Sequence, residues 1–466
     1  MAYRHFVWKF GGGRKRSVMS IIPEEIRYEI LSRLPVKSLL ACKCVCKNWY
    51  ALISASDFVK THIAIQKNNP ILMLEKGCDL YSIGYDSLPS SPVCDIKNDV
   101  IKVDHPHHCV GLLSSCNGLI CIWIWLLVDG GYNRDVLCLW NPATREYKEL
   151  PESPIGFTRN NVCVHGFGYD HKTDDYKLAI GVKAPGSKDT TLVQIYSLAS
   201  NLWETEKTIP YWFSDMHMSG VLVNANLHWL ALGHHNFLSL SLDISDENFK
   251  EMQLPRETPE MNKDMCLGVL QGCLCLLVKT DVNGVKNYFE VWEMLDYGVR
   301  ESWTKRHVIA HESIINEQKY FRLVRSFKND EILLFSGDIL VLYDPKHGSA
   351  RELKIHNAPF WNAETYFESL VSLNSGTYVV EEYKGMTEDT LAQLSNAKKC
   401  FCLMSTKHVS YLCQLLLPPF SMSSCITMWR MPFTAEVTKL GISSLQKLLY
   451  IVSELYQVMF QLLKLT

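Results

Sequence analysis

No run of about 18 uncharged apolar residues occurs in the 466-residue sequence, so no membrane span is expected. Neither sign of charge dominates. Lys and Arg total 47 against 49 Asp and Glu, a net charge of −2, which offers no general surface for tracking phosphates, and nucleic acid is not an expected partner. The C-x₂-C spacing that lets two thiolates grip one zinc is missing, and so is the G-x₄-G-K-S/T order of a phosphate-binding loop. The first twenty residues hold five basic residues (Arg4, Lys9, Arg14, Lys15, Arg16) and no acid, yet they lack the apolar core of a secretory leader. Seventeen cysteines, an odd number at low density behind no leader, point to reduced thiols and to the cytoplasm, the nucleus or both. Arg14-Lys15-Arg16 reads either as a nuclear import signal or as part of a flexible basic leader.

The composition that remains is that of a folded chain: 47% hydrophobic, 11% aromatic and 21% charged. At roughly 150 residues per domain the length suggests about three units, or two if one is a large all-β domain.

The first dense segment reads as short helices. Pro23 suits a first helical position, Glu24 and Glu25 follow in the positive first turn, and Ile26, Ile30, Leu31 and Leu34 recur on one helical stripe. Pro35 stops that helix, Val36-Lys37-Ser38-Leu39-Leu40 restarts one, and Val45, Trp49, Leu52 and Ile53 mark a third. Three helices in about 45 residues make a marginal core, one that a foreign surface would complete.

The wording of this segment, Ile22-Pro23-Glu24-Glu25, then Glu29 through Leu40, then Lys43-Cys44-Val45-Cys46-Lys47-Asn48-Trp49, resembles the F-box, particularly its plant form. The resemblance implies insertion into a Skp-type adaptor, and through it linkage to cullin and RING subunits of an SCF ubiquitin ligase. The implied adaptor contacts are Ile22, Pro23, Ile26, Leu34, Pro35, Val36, Leu39, Leu40, Val45, Cys46 and Trp49. The chain departs from the common pattern at Ala41-Cys42, where Arg-Phe is usual, and at Ile22, where Leu is usual.

From about residue 105 to 375 helical stripes give way to short apolar runs broken by Gly, Asn and Asp, the signature of strands and hairpins. A unit repeats: Trp140 precedes Tyr147, Tyr196 precedes Trp203 and Leu242 precedes Phe249, each by seven positions across a polar turn. Weaker copies surround Trp292 and Tyr343. The steps between the five positions lie near the roughly 50-residue blade of a kelch-like propeller. Upstream hairpins at Asn117-Gly118, Asn224-Ala225, Gln271-Gly272 and Gly337-Asp338 bring each unit to about four strands. Five to six units leave an irregular propeller and a β-sandwich-rich scaffold both open. The fold class expected is α+β multidomain, a small helical F-box followed by an all-β, kelch-propeller-like domain.

A second resemblance rests on Gly111 through Ile120, Leu139-Trp-Asn-Pro-Ala-Thr-Arg-Glu-Tyr147, Gly166-Phe-Gly-Tyr-Asp170 with Thr173 through Lys177, Tyr297 through Thr304, and Thr365 through Leu370. These look like the plant F-box-associated interaction domain. A member of that family is a substrate receptor, holding a target protein on the β domain while the F-box holds the ligase. The alternative is a propeller-type protein-binding scaffold acting outside any ubiquitin ligase.

Bond chemistry finds little support in the residues. Cys42-x-Cys44-x-Cys46, Cys273-x-Cys275 and Cys400-x-Cys402 have the wrong spacing for zinc, and a C-x-C pair on a strand points both thiols to one face, as small core residues do. His105-Pro106-His107-His108-Cys109 is read as a loop leading into a strand rather than a metal site. Asp170, Asp174 and Asp175 suit a hairpin turn. No catalytic residue, metal ligand or cofactor is expected, and the target-binding residues stay unassigned. The domains expected are a basic leader (1–20), the F-box (21–66), a linker with first strands (67–104), the β domain (105–375) and an atypical apolar tail (376–466). In that tail Leu445, Leu448, Val452, Leu455, Met459 and Leu462 form a stripe suited to a partner, to the chain's own β domain or to a membrane interface.

Overall fold

The computed structural model describes residues 24–85, 101–103, 109–128, 131–158, 160–187, 189–213, 218–234, 236–258, 265–282, 286–309, 321–327, 329–337, 339–353 and 360–373. By their contacts they form a helical unit, residues 24–34 and 38–53, and a larger unit, residues 54–373 together with Pro35–Lys37. The leader with Arg14-Lys15-Arg16 and the apolar tail lie outside the described residues.

Four helices precede the strands, one more than the sequence suggests: α1 (Glu24–Ser32), α2 (Val36–Lys43), α3 (Lys47–Ser54) and α4 (Ser56–Gln66). Glu24 and Glu25 occupy the positive end of α1, and Pro35 separates it from α2. The stripe of α4 escapes notice because two of its buried positions are polar. Phe58, Val59 and Ile63 share that face with His62 and Gln66, whose side chains meet at 3.3 Å.

The strands make six sheets. The first blade holds β1 (Ile71–Lys76), β2 (Asp79–Gly84) and β3 (Ile101–Val103); the second holds β4 (Val110–Cys116), β5 (Leu119–Val128), β6 (Gly131–Asn141) and β7 (Glu146–Glu149). The third is β8 (Val162–Asp170), β9 (Asp175–Lys183), β10 (Thr191–Ser197) and β11 (Leu202–Ile209), joined by the parallel β12 (Met218–Ser219). The fourth is β13 (Val221–Val223), β14 (Asn226–Leu232), β15 (Phe237–Asp243) and β16 (Phe249–Met252). The fifth is β17 (Met265–Leu270), β18 (Cys273–Val282), β19 (Lys286–Met294) and β20 (Trp303–Ile309); the sixth is β21 (Phe321–Ser326), β22 (Ile332–Ser336), β23 (Ile339–Asp344) and β24 (Ser349–Leu353). Finally β25 (Asn362–Tyr366) returns to pair with β1 and supplies the innermost strand of the first blade. The inner strands neighbour one another around the axis, β21 beside β25 and β25 beside β4, so the ring is closed by the two ends of the domain. This is a six-bladed propeller, not a sandwich. Of the span 67–104, residues 71–76, 79–84 and 101–103 are strands of the closing blade.

The core lies between blades. On β18, Leu274, Leu276 and Val278 face the fourth blade's Leu230, while Cys275 and Leu277 face the sixth blade's Leu334 and Val341. Alternation along a strand buried on both sides forces this division. The seven-residue repeat is the outer hairpin: Trp140 pairs with Tyr147, Tyr196 with Trp203, Leu242 with Phe249 and Tyr343 with Ala350. In the sixth blade the expected upstream hairpin is one strand out of phase, since the turn at Gly337 joins its second and third strands. The sequence expectation of reduced thiols also needs correction. Cys78 and Cys109 form a disulfide linking the β1–β2 turn to the chain just before β4, while ten other described cysteines are free.

Candidate functional site

Burial divides the eleven positions assigned to the adaptor. Leu34, Val36, Leu39 and Trp49 are buried, with Leu39 wholly inaccessible and Trp49 6% exposed, so their role in the free chain is to hold helices in place. Ile26, Pro35, Leu40 and Val45 are half-buried and Cys46 is exposed, which leaves them surface to offer a partner. Ile22 and Pro23 lie outside the described residues. Tyr50, absent from the assignment, is 44% exposed on α3, with the Lys43 ammonium 5.9 Å from its ring centre. Burial, helped by the neighbouring Cys44, pushes the Cys42 thiol up to about 12, so it is not a reactive thiolate.

In the larger unit, α4 is tied to the propeller rim at two places. Lys60 Nζ lies 2.8 Å from Asp174 Oδ2 on the third blade, and Arg325 Nη2 on the sixth donates to the Lys67 carbonyl at 3.4 Å. Third and sixth blades are opposite in a ring of six, so α4 with Lys67 at its end lies across this face of the propeller.

The motifs that carry the second resemblance are structural devices. Asn141, fully buried, accepts through Oδ1 from Ala143 N and Thr144 N, which shapes the outer turn, and donates through Nδ2 to the carbonyls of Ser369 (3.1 Å) and Val371 (2.7 Å). The Asn-Pro-Ala-Thr turn thereby clasps the Thr365–Leu370 segment that ends the ring. Gly118, at φ +84, lies against that segment, where a Cβ would sit 2.4 Å from Ser369 Oγ. Gly166 and Gly168 let the fourth blade's Trp229 and Ile244 approach β8, at 2.8 and 2.2 Å from where Cβ atoms would stand.

The aspartates of this region do more than turn the chain. Burial raises the Asp170 pKa, but hydrogen bonds from Ser245 Oγ (2.5 Å), Thr173 Oγ1 (2.7 Å) and Lys172 N (2.9 Å), with the Lys177 charge 3.6 Å away, overcome it and bring the carboxyl to about 2. Lys177 also meets Glu247 at 2.8 Å, and Glu247 accepts from Thr205 as well. Asp175 accepts from Ser197 Oγ (2.6 Å) and Ala199 N (2.8 Å). Together these bonds lock the third blade internally and to the fourth. Nearby, burial lowers His228 to about 4, so its ring is neutral, with Nε2 3.1 Å from Tyr297 Oη and Nδ1 3.4 Å from Ser239 Oγ.

The inner strands enclose an axial cavity of about 600 Å³, lined by Ser114 and Ser115 on β4, Met265 and Leu267 on β17, Arg322 and Arg325 on β21, and Glu364 on β25 among others. Arg322 reaches across to Glu364 (3.2 Å) and Asn362 (2.9 Å). No motif flags Arg322, Arg325, Asn362 or Glu364 in the sequence, because each is a lone polar side chain on an inner strand. They converge only when the ring closes. Cys275 is buried and Cys273 half-buried, consistent with small core residues; Cys400 and Cys402, like His105 to His108, lie outside the described residues.

Residues 19–61 match the F-box domain family, and residues 71–373 match the family described as the F-box associated beta propeller domain. The "F-box protein CPR1" of Arabidopsis thaliana is 30% identical over 390 residues, which covers 76% of this chain and 89% of that one. The "F-box protein At3g07870" of the same plant is 28% identical over 398 residues, 75% and 90% of the two chains. The "F-box/kelch-repeat protein At3g23880" is 30% identical over 297 residues, 61% and 78%. With helices then propeller in the expected order and most of the chain matched, the protein belongs to the F-box proteins that carry an F-box-associated β-propeller domain.

Proposed function

We propose that this protein is the substrate-recognition subunit of an SCF ubiquitin ligase, active in the cytoplasm, the nucleus or both. The observation that supports it is the union in one chain of an F-box and a propeller whose signature motifs are occupied in holding the ring together, which leaves the loops on its open faces for a target. The half-buried Ile26, Pro35, Leu40 and Val45 with exposed Cys46 are the proposed adaptor contacts, within an interface of roughly 1,600 Å² in total. No residue need make or break a bond. Holding a target beside the charged conjugating enzyme raises its effective concentration, and that proximity is the mechanism.

Capture of a Skp-type adaptor by the intact protein tests the reading. Adaptor should co-purify with the wild type and be lost with Val45→Asp or Leu40→Asp. Absence of capture by the wild type sinks the proposal. Blocking the proteasome separates a ligase from a scaffold acting alone: a co-purified target should accumulate only in the first case.

A further inference from the structure

The axial cavity carries an arrangement that neither the ligase role nor the closure motifs require. β21 has a bulge at Val324, between the pairs Leu323 to Leu334 and Arg325 to Leu333. Side chains alternate along a strand, so without that extra residue Arg322 and Arg325 would lie on opposite faces. The bulge puts both arginines on the same face. Arg322 is neutralised there by Glu364 at 3.2 Å. Arg325 has no carboxylate partner among the described residues. It lies over the Tyr85 ring at 5.8 Å and makes one long hydrogen bond, 3.4 Å, to the Lys67 carbonyl.

One uncompensated guanidinium thus borders a cavity of about 600 Å³, a size that suits a small organic molecule. A second observation points to an occupant: Ser114, in the same wall and 4% exposed, has a buried hydroxyl with no hydrogen-bond partner. The rest of the wall is mixed, apolar Phe167, Met265 and Leu267 alternating with polar Ser219, Gln271 and Thr365. We infer that the channel binds a small monocarboxylate with an apolar body, its carboxylate forked by Arg325. A carboxylate matches the single unpaired positive charge and the planar guanidinium. A phosphate dianion would carry charge in excess of it, beside Glu364. Ser114 supplies a hydroxyl donor, and the apolar part of the wall around Met265 and Leu267 takes the body of the ligand.

The inference stands apart from the ligase reading, because carboxylate binding and adaptor capture fail separately. Purified full-length protein is titrated calorimetrically with aryl and straight-chain monocarboxylates of about six to fourteen carbons, 2-naphthoate and octanoate among them, and with 2-naphthamide and inorganic phosphate. At least one carboxylate should bind with Kd below about 1 mM, and the amide and phosphate should not. Arg325→Gln should weaken binding more than about ten-fold, and Arg325→Lys should weaken it less, since charge persists while the fork is lost. Ser114→Ala removes one hydroxyl from the wall and should weaken it several-fold, which keeps the test decisive if Arg325→Gln does not fold. No binding across the series, equal binding of phosphate, or unchanged affinity in folded Arg325→Gln or in Ser114→Ala would overturn the inference.

Discussion

Replacing Asn141 with alanine isolates the clasp that ends the propeller. The side chain donates two bonds to the Ser369 and Val371 carbonyls and accepts two more from its own turn, and none of it is exposed. Leaving two carbonyls in a buried setting without their donor costs about 1 to 3 kcal/mol each, and the turn bonds add roughly 0.5 kcal/mol apiece. The total is about 3 to 7 kcal/mol. For a domain of this size that corresponds to a drop of roughly 6 to 14 °C in melting temperature, measurable by calorimetry on the intact chain. Asn141→Asp is the informative partner, because it keeps the acceptor for Ala143 and Thr144 while setting a carboxylate against the two carbonyls. It should melt at least as low as the alanine variant. Hydrogen exchange should quicken at 362–373 before it does in the middle blades. An alanine variant melting within about 2 °C of the wild type would refute the clasp.

Acid should destabilise the propeller in two windows. A neutral His228 contributes fully above its unfolded pKa near 6.5, and stability falls by about 3 kcal/mol as pH drops towards 4; His228→Gln should remove that part of a urea-midpoint profile. Asp170 contributes above 3.8, and roughly 2 kcal/mol more is lost as pH falls through its folded value of about 2, a loss absent in Asp170→Asn. Trp49→Ala should cost the helical unit about 3 to 5 kcal/mol, seen by circular dichroism, and abolish adaptor capture; normal capture would contradict the assignment of α3. Gly118→Ala meets both a left-handed φ and the Ser369 side chain, so it should destabilise by more than about 1 kcal/mol in calorimetry, whereas Gly186→Ala, left-handed with open space around it, should cost less.

The local elements were legible because their signals are local. Pro35 and the paired Glu24 and Glu25 mark helix ends whatever surrounds them, and the seven-residue spacing from Trp140 to Tyr147 is a hairpin property that the strand pairing repeats. The fourth helix was hidden by His62 and Gln66, which are polar by type and buried by position. The first blade was hidden by its construction. Its strands come from opposite ends of the domain, β25 pairing with β1 across almost 300 residues, and no window on the chain contains both.

The candidate sites divide in the same way. An ordered run of F-box residues is visible in one dimension, but which of them are internal is not: Leu39 and Leu40 are neighbours of the same type, and helix geometry buries the first while leaving part of the second uncovered. Arg322 and Arg325, three apart on a strand, have no shared face until a bulge at Val324 supplies one. The amino-acid order thus determined helices, hairpins and family, since these depend on residue type and spacing within a few turns of chain. Closure of the ring, the axial cavity and the pairing of Arg322 with Glu364 were decided only in three dimensions, because they join residues whose proximity exists nowhere along the chain.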